Sequence, residues 1–390
     1  SLWTPERPFL TSVEVEVGLS QNGLIKATLE APYAAGIKLL EEPDLIVQSN
    51  VLQVRLGYSA SGNMTPWYAG LMTTAGAQID PNGVTINIEA HGGAALAMTR
   101  LTNGQWKGTR RQVLDLIAEK FSWEVEVDDD AGLTGEYNQS GAGRSVWVLL
   151  ADLLSDVGYD FYMGTGDNGH ATLFVFRLEK WTSGAPKRTF VMYGNVNLAK
   201  NQFPLLSFNA DTSAVFLWQG SDGLKSILID DNGEKILAEA SADTSAVTSL
   251  GAEVATSGTA QTVDPDILLA SDIPADTEIG PPVLGALGVS DADKGDLQQK
   301  LQATLDRRQM MSGFNIQAES IGVPLMRPGE IVGVYGVSKL YDGLYGVFKV
   351  IHSVGGDGFS TRWEGRRNAF PTGTGIAAAA TPENTQTEPT

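Results

Sequence analysis

Gly164-Thr-Gly-Asp-Asn-Gly169 carries the literal G-x-G-x-x-G spacing with which a dinucleotide's pyrophosphate is cradled. That chemistry needs a strand before the glycines and a helix N-terminus facing the phosphates after them. Phe161-Tyr-Met163 supplies the strand, but Ala171-Thr-Leu-Phe-Val-Phe176 reads as a second strand where the helix should start. A hairpin loop is therefore expected. Gly141-Ala-Gly-Arg-Ser145 lacks the lysine of a phosphate-binding loop and reads as a linker into a helix cap. His91, His170 and His352 stand far apart with no second ligand at metal spacing, so structural roles are expected for them. Asp128-Asp-Asp130 lacks the full ligand series of a calcium loop and reads as a solvated turn. Asn138-Gln-Ser140 is a formal glycosylation acceptor, without consequence in a chain that shows no secretory signal. No cysteine is present, which excludes disulfides, zinc–cysteine sites and thiol catalysis. Acidic residues are numerous enough that a glycosidase-like carboxylate pair stays open, although no lysozyme-type helical domain is visible to hold one. No cofactor, metal or catalytic residue is assigned.

Composition sets wider bounds. Hydrophobic residues make up 42% of 390, enough for real cores, and the length suits two to four domains at ~100–200 residues each. The opening Ser1-Leu-Trp-Thr-Pro-Glu-Arg7 has no basic run leading into an apolar core, and nothing approaches the ~18 apolar residues of a membrane span. Synthesis and assembly in a cytoplasm are expected. The net charge is −19, concentrated between Asp230 and Asp296, where only Lys235 and Lys294 oppose a crowd of carboxylates. Such a field repels phosphate backbones, so tight nucleic-acid binding is not expected. A solvated surface is one reading of this segment. The other is a channel lining along which DNA slides without sticking.

Around the candidate residues the hydrophobic period changes in four zones. Residues 1–102 alternate with period two (Val13, Val15 and Val17; Leu52, Val54 and Leu56; Val84, Ile86 and Ile88), as half-buried strands do. Residues 103–180 switch to helical spacing. Thr109-Arg-Arg-Gln112 is a capping box ahead of Val113, Leu114, Ile117 and Phe121, and Ser145 caps a stripe of Trp147, Leu150, Leu153 and Leu154 that stops at Gly158. Residues 181–370 return to strands. Within them lie an expected hairpin at 226–237 turning on Asn232-Gly233, an acidic low-complexity insertion at about 238–289, and an expected helix at about 290–311. Residues 371–390 are rich in Thr, Ala, Pro and Glu and read as a tail.

Three strands punctuated by Pro-Gly, Asp-Gly and Gly-Gly-Asp-Gly turns close the third zone: Gly322 to Gly336, Asp342 to His352 and Gly358 to Glu364. Counting by two from Tyr345 puts Tyr345, Val347 and Ile351 on one face, and Phe348 and Val350 on the other. A strand apolar on both faces is covered on both, so the second cover must come from another domain or another subunit. An echo accompanies this. Trp67-Tyr-Ala-Gly-Leu-Met-Thr73 with Asp80 to Glu89 resembles Leu344-Tyr-Gly-Val-Phe-Lys-Val350 with Asp357 to Glu364, and Leu52 to Gly57 resembles Ile331 to Gly336. The fold class expected is mainly β (α+β): two related small antiparallel β-barrel domains with an intervening α/β module. Tyr68, Leu71, Tyr345, Val347, Phe348, Val350, Ile351 and Trp363 are the candidate interface.

The order of a β domain, a helix–strand module with Leu149-Leu-Ala-Asp-Leu-Leu-Ser-Asp-Val-Gly-Tyr-Asp-Phe-Tyr162, and the closing 321–364 segment resembles the tail and baseplate hub proteins of phages. These are the late control protein D-like hubs of contractile tails, similar also to the hub part of type VI secretion spike proteins. The resemblance spans about residues 10–370, and the acidic insertion and the tail have no counterpart in it. It implies a homotrimer whose two barrels per chain form a pseudo-sixfold ring, joining a sixfold tail tube protein to a threefold central spike or tail fibre protein. A tape measure protein is a further implied partner, DNA passes only in transit, and the location is the virion. The alternative from another class is a β-rich, particle-associated hydrolase or glycan-binding module acting on the cell envelope.

Overall fold

In the computed structural model, residues 9–41, 50–58, 62–166, 169–178, 185–192, 201–211, 224–229, 235–240, 283–288, 314–338 and 341–367 are described. The alternating residues of the first zone form strands, as their period requires: β1 (Phe9–Gly18), β2 (Leu24–Ala31), β3 (Val51–Val54), the short pair β4 (Gly57–Tyr58) and β5 (Asn63–Met64), β6 (Tyr68–Asp80) and β7 (Gly83–His91). Val13, Val15 and Val17 meet Ile25, Val84, Ile86 and Ile88 in a shared core. Helix α1 (Tyr33–Glu41) lies on this sheet at Gly36, where even a Cβ would collide with Val84.

The middle zone builds α2 (Ala95–Thr99), β8 (Leu101–Thr102), β9 (Gln105–Thr109), α3 (Arg110–Phe121), β10 (Glu124–Val127), β11 (Glu136–Ser140), β12 (Arg144–Ser145), α4 (Val146–Ser155), β13 (Tyr159–Thr165) and β14 (Ala171–Arg177). Both helix starts are held as their sequences require. Thr109 accepts from the Gln112 amide while the Gln112 side chain accepts from the Thr109 amide, and Ser145 Oγ accepts from the Val148 amide at 3.2 Å. Val113, Leu114 and Ile117 pack against Trp147, Leu150, Leu153 and Leu154 over the sheet β10-β14-β13. Gly158, at φ +80°, turns the chain from α4 into β13, a conformation open to glycine at little cost.

The third zone supplies β15 (Arg188–Met192), β16 (Gln202–Asp211), β17 (Leu224–Ile229), β18 (Lys235–Ala240), β19 (Val283–Gly288), β20 (Phe314–Ile321), β21 (Ile331–Tyr335), β22 (Gly343–Gly355) and β23 (Gly358–Arg367). Six of them close a barrel in the order β21-β15-β16-β20-β23-β22, with β22 returning to β21. Phe190, Val332, Val334, Tyr345, Val347 and Trp363 fill it. The expected hairpin near 226–237 exists as the antiparallel pair β17 and β18, with β19 parallel to β17 on the other side. The Asn232-Gly233 turn, most of the acidic insertion, the helix expected at 290–311 and the 371–390 tail lie outside the described residues.

The chain is mainly β with an α/β module, as expected, but the two β units are not separate. Strand β22 pairs with β21 and β23 and also, through Lys349–Val354, with β1, so eleven strands form one sheet. The two-sided apolar pattern of β22 has a local cause as well. Phe348 is an extra residue in a β-bulge between Val347 and Lys349. A bulge inverts the alternation beyond it. Tyr345 and Val347 therefore share the barrel core with Val350 and not with Ile351, correcting the face assignment made by counting in twos. On the other face, Leu344 and Phe348 pack against the core of the first unit. The second cover comes from the same chain.

Candidate functional site

Each motif with chemical promise is tied up structurally. The Gly164–Gly169 stretch joins β13 to β14, which pair antiparallel up to Thr165 opposite Ala171, so the glycines turn a hairpin and face no helix. Asp129 and Asp130 meet Arg177 at 3.4 Å and Arg111 at 2.7 Å, and the Asp129 carboxylate also accepts from the Ala131 amide. The turn is thus cross-linked by arginines. His170 stands 3.2 Å from Glu124 on the surface. Among the described residues no three His, Asp or Glu side chains cluster as a metal site would need. A groove of about 540 Å³ is bordered by Leu101, Trp106, Leu116 and Lys120 and has no carboxylate or histidine in its lining. It offers no acid–base pair.

His352 is the one histidine at the heart of the fold. Its ring is fully buried, with Nδ1 3.1 Å from Thr361 Oγ1 and Nε2 3.3 Å from the Met326 carbonyl. Burial, and secondarily the positive charge of Arg188, push its pKa down to about 4, against a partial upward pull from the Met326 carbonyl. Arg188 is itself held down to about 10 by burial and by Arg327, while its guanidinium pairs with the buried Glu330 carboxylate. These groups pin the loop before β21 to the barrel. Glu330 also borders a cleft of about 150 Å³, together with Glu126, Asp128, Lys187 and Arg327.

The eight candidate interface residues divide cleanly. Tyr345, Val347, Val350 and Trp363 are at most 1% exposed inside the chain's own core, which removes them from contact with any partner. Phe348 and Tyr68 are half-buried against the first unit's core, and Leu71 and Ile351 are half-buried at the sheet. Periodicity reports burial without saying what does the burying.

What could bind is backbone. Strand β6 pairs with β3 only through Tyr68–Leu71, and beyond that its outer edge has no strand beside it among the described residues, with Thr74–Asp80 exposed. Strand β16 pairs with β15 only through Gln202–Leu205, and beyond that no strand lies beside Phe208–Asp211 on that side among the described residues. Open edges of this kind are templates for a further strand. The neighbouring joint of β1 with β22 is already filled, and it is braced by Glu16 with Lys349 at 2.7 Å and Glu14 with Arg362 at 2.8 Å.

No protein-family model and no curated protein sequence matches the chain. Solved structures do. The 43 kDa tail protein of prophage MuSo2 from Shewanella oneidensis is similar at a TM-score of 0.57 and 15% identity, over 92% of this chain and 94% of that one. The tail protein from Neisseria meningitidis MC58 gives 0.59 at 11% identity, over 93% of each. The E. coli c3393 protein, a type VI secretion system component with structural similarity to the T4 phage tail proteins gp27 and gp5, gives 0.51 at 10% identity, over 92% of this chain and 73% of that one. The fold is the one these phage tail and secretion-system proteins share, in keeping with the resemblance seen in the sequence. At such identities the likeness is one of fold.

Proposed function

We propose that this chain is a structural component of a phage tail: a homotrimeric hub whose two β units alternate around a pseudo-sixfold ring. The ring joins a sixfold tail tube to a threefold central spike or fibre, with a tape measure protein as a further neighbour, and it lets DNA pass. It acts in the virion, after assembly in the host cytoplasm, and not as an enzyme. Residues 1–102 and 181–370 form the two ring units, with 103–180 as a bracket between them. The observation that carries this reading is the single sheet running through both units with unfilled edges left over, since an open β edge calls for a partner. A closed ring is how such an edge is covered without limitless growth. The acidic balance suits a lumen that DNA traverses without sticking. Light scattering tests the stoichiometry. A mass three times that of the 41.5 kDa chain is expected, whereas a monomer at assembly concentrations contradicts the hub.

A further inference from the structure

The two β units agree residue by residue in their pairing. Both follow one strand order, β3-β6-β7-β2-β1 in the first and β21-β22-β23-β20-β16 in the second. One constant shift carries Met72 to Val347, Thr74 to Lys349, Asp80 to Gly355, Gly83 to Gly358 and Glu89 to Glu364. The bulge falls in the same place, at Thr73 and at Phe348. A second bulge repeats too: β1 gains a residue between Leu10 and Ser12, and β16 gains one between Leu205 and Ser207. The echo in the sequence was real, although its alignment slipped by two positions. The register places Tyr68 at Gly343, not at Tyr345.

Equivalence makes the open edges meaningful. In the second unit, Lys349–Val354 of β22 pair with Val13–Gly18 of β1. The residues of β6 that correspond to Lys349–Val354 are Thr74–Ile79, all exposed. The residues of β16 that correspond to Val13–Glu16 are Phe208–Asp211, whose outer edge has no strand beside it among the described residues. We infer that β6 of one copy and β16 of the next pair antiparallel in the register of the joint inside the chain. Ile79 then faces Phe208, Gln78 faces Asn209, Ala77 faces Ala210 and Gly76 faces Asp211. Ile79, 51% exposed in the single chain, corresponds to Val354, which is packed against the first unit's core. The new strand gives Ile79 the same kind of cover. The two joints remain distinguishable, because Thr74 and Asn87 stand where Lys349 and Arg362 do, so the bracing ion pairs belong only to the joint within the chain.

This inference rests on the ring reading and assigns its contact. The absence of cysteine makes it directly testable. Ile79→Cys and Phe208→Cys, made in separate chains, mixed and oxidised, should form a disulfide-linked dimer, because directly opposed residues bring Cβ atoms ~4.5–5.5 Å apart. Ile79→Cys mixed with Asp211→Cys is the control. Its Cα atoms lie beyond the ~7 Å that a disulfide bridges, and about tenfold less product is expected. Chains carrying both Ile79→Cys and Phe208→Cys should give a ladder ending at three chains. Equal yields from matched and control pairs, with scattering still showing an oligomer, overturn the register while leaving the ring. A monomer with no cross-link in either pair overturns both.

Discussion

Trp363→Ala is expected to lower the unfolding free energy by ~3–5 kcal/mol, the cost of deleting a fully buried large aromatic whose site cannot collapse. Trp363 is 1% exposed. It stands opposite Val350 and Ala318 on the two flanking strands, with its ring 5.1 Å from that of Phe190 across the barrel. Its opposed neighbours thus sit on hydrogen-bonded strands of the closed barrel, which limits how far the site can collapse. Trp363→Phe should cost much less. Phenylalanine keeps most of the contact and removes an indole N–H that has no hydrogen-bond partner among the described residues. Chemical denaturation of the three proteins checks the order. Equal losses for Ala and Phe would mean that the N–H, and not the packed volume, carries the effect.

The second large effect is a loss of stability in acid, traced to His352. Its folded pKa of about 4 lies below its ordinary value of 6.5, so the unfolded chain takes up the proton first as pH falls. The stability it contributes is complete above pH 6.5 and drains away as pH drops towards 4. A shift of this size corresponds to about 3 kcal/mol at ~1.4 kcal/mol per pH unit. Carboxylates add their own acid dependence, so the comparison is with His352→Gln. That variant is expected to be less stable at pH 7, because its amide fits the Thr361 and Met326 partners poorly. Its stability should nevertheless fall much less between pH 7 and 4.5. Parallel losses in the two proteins over that interval would show that His352 is not the titrating group.

Local features of the fold were legible in the sequence, and non-local ones were not. The caps at Thr109 and Ser145, the stop at Gly158 and the hairpin at Gly164–Gly169 each depend on a few consecutive residues, and each formed as expected. The bulge at Phe348 has no comparable signature. One extra residue looks like ordinary sequence, yet it inverts every side chain beyond it. Counting in twos therefore splits Val350 from Tyr345 and Val347, and it leaves open whether another domain or another subunit supplies the second cover, which the first unit of the same chain does. The pairing of β22 with β1 is equally hidden, because it joins residues hundreds of positions apart. Four of the eight candidate interface residues, Tyr345, Val347, Val350 and Trp363, lie inside the chain's own core for the same reason. Apolar residues mark what is buried, whereas the available surface here is the polar backbone of β6 and β16.

The central claim is that two equivalent units per chain alternate around a closed ring. End-on electron-microscope images of the purified assembly test it most directly. The account predicts a ring of six lobes that averages as threefold, with neighbouring lobes nearly alike because β3-β6-β7-β2-β1 and β21-β22-β23-β20-β16 share one register. Particles without a ring, or a ring whose lobe number is not twice the number of chains, would contradict it.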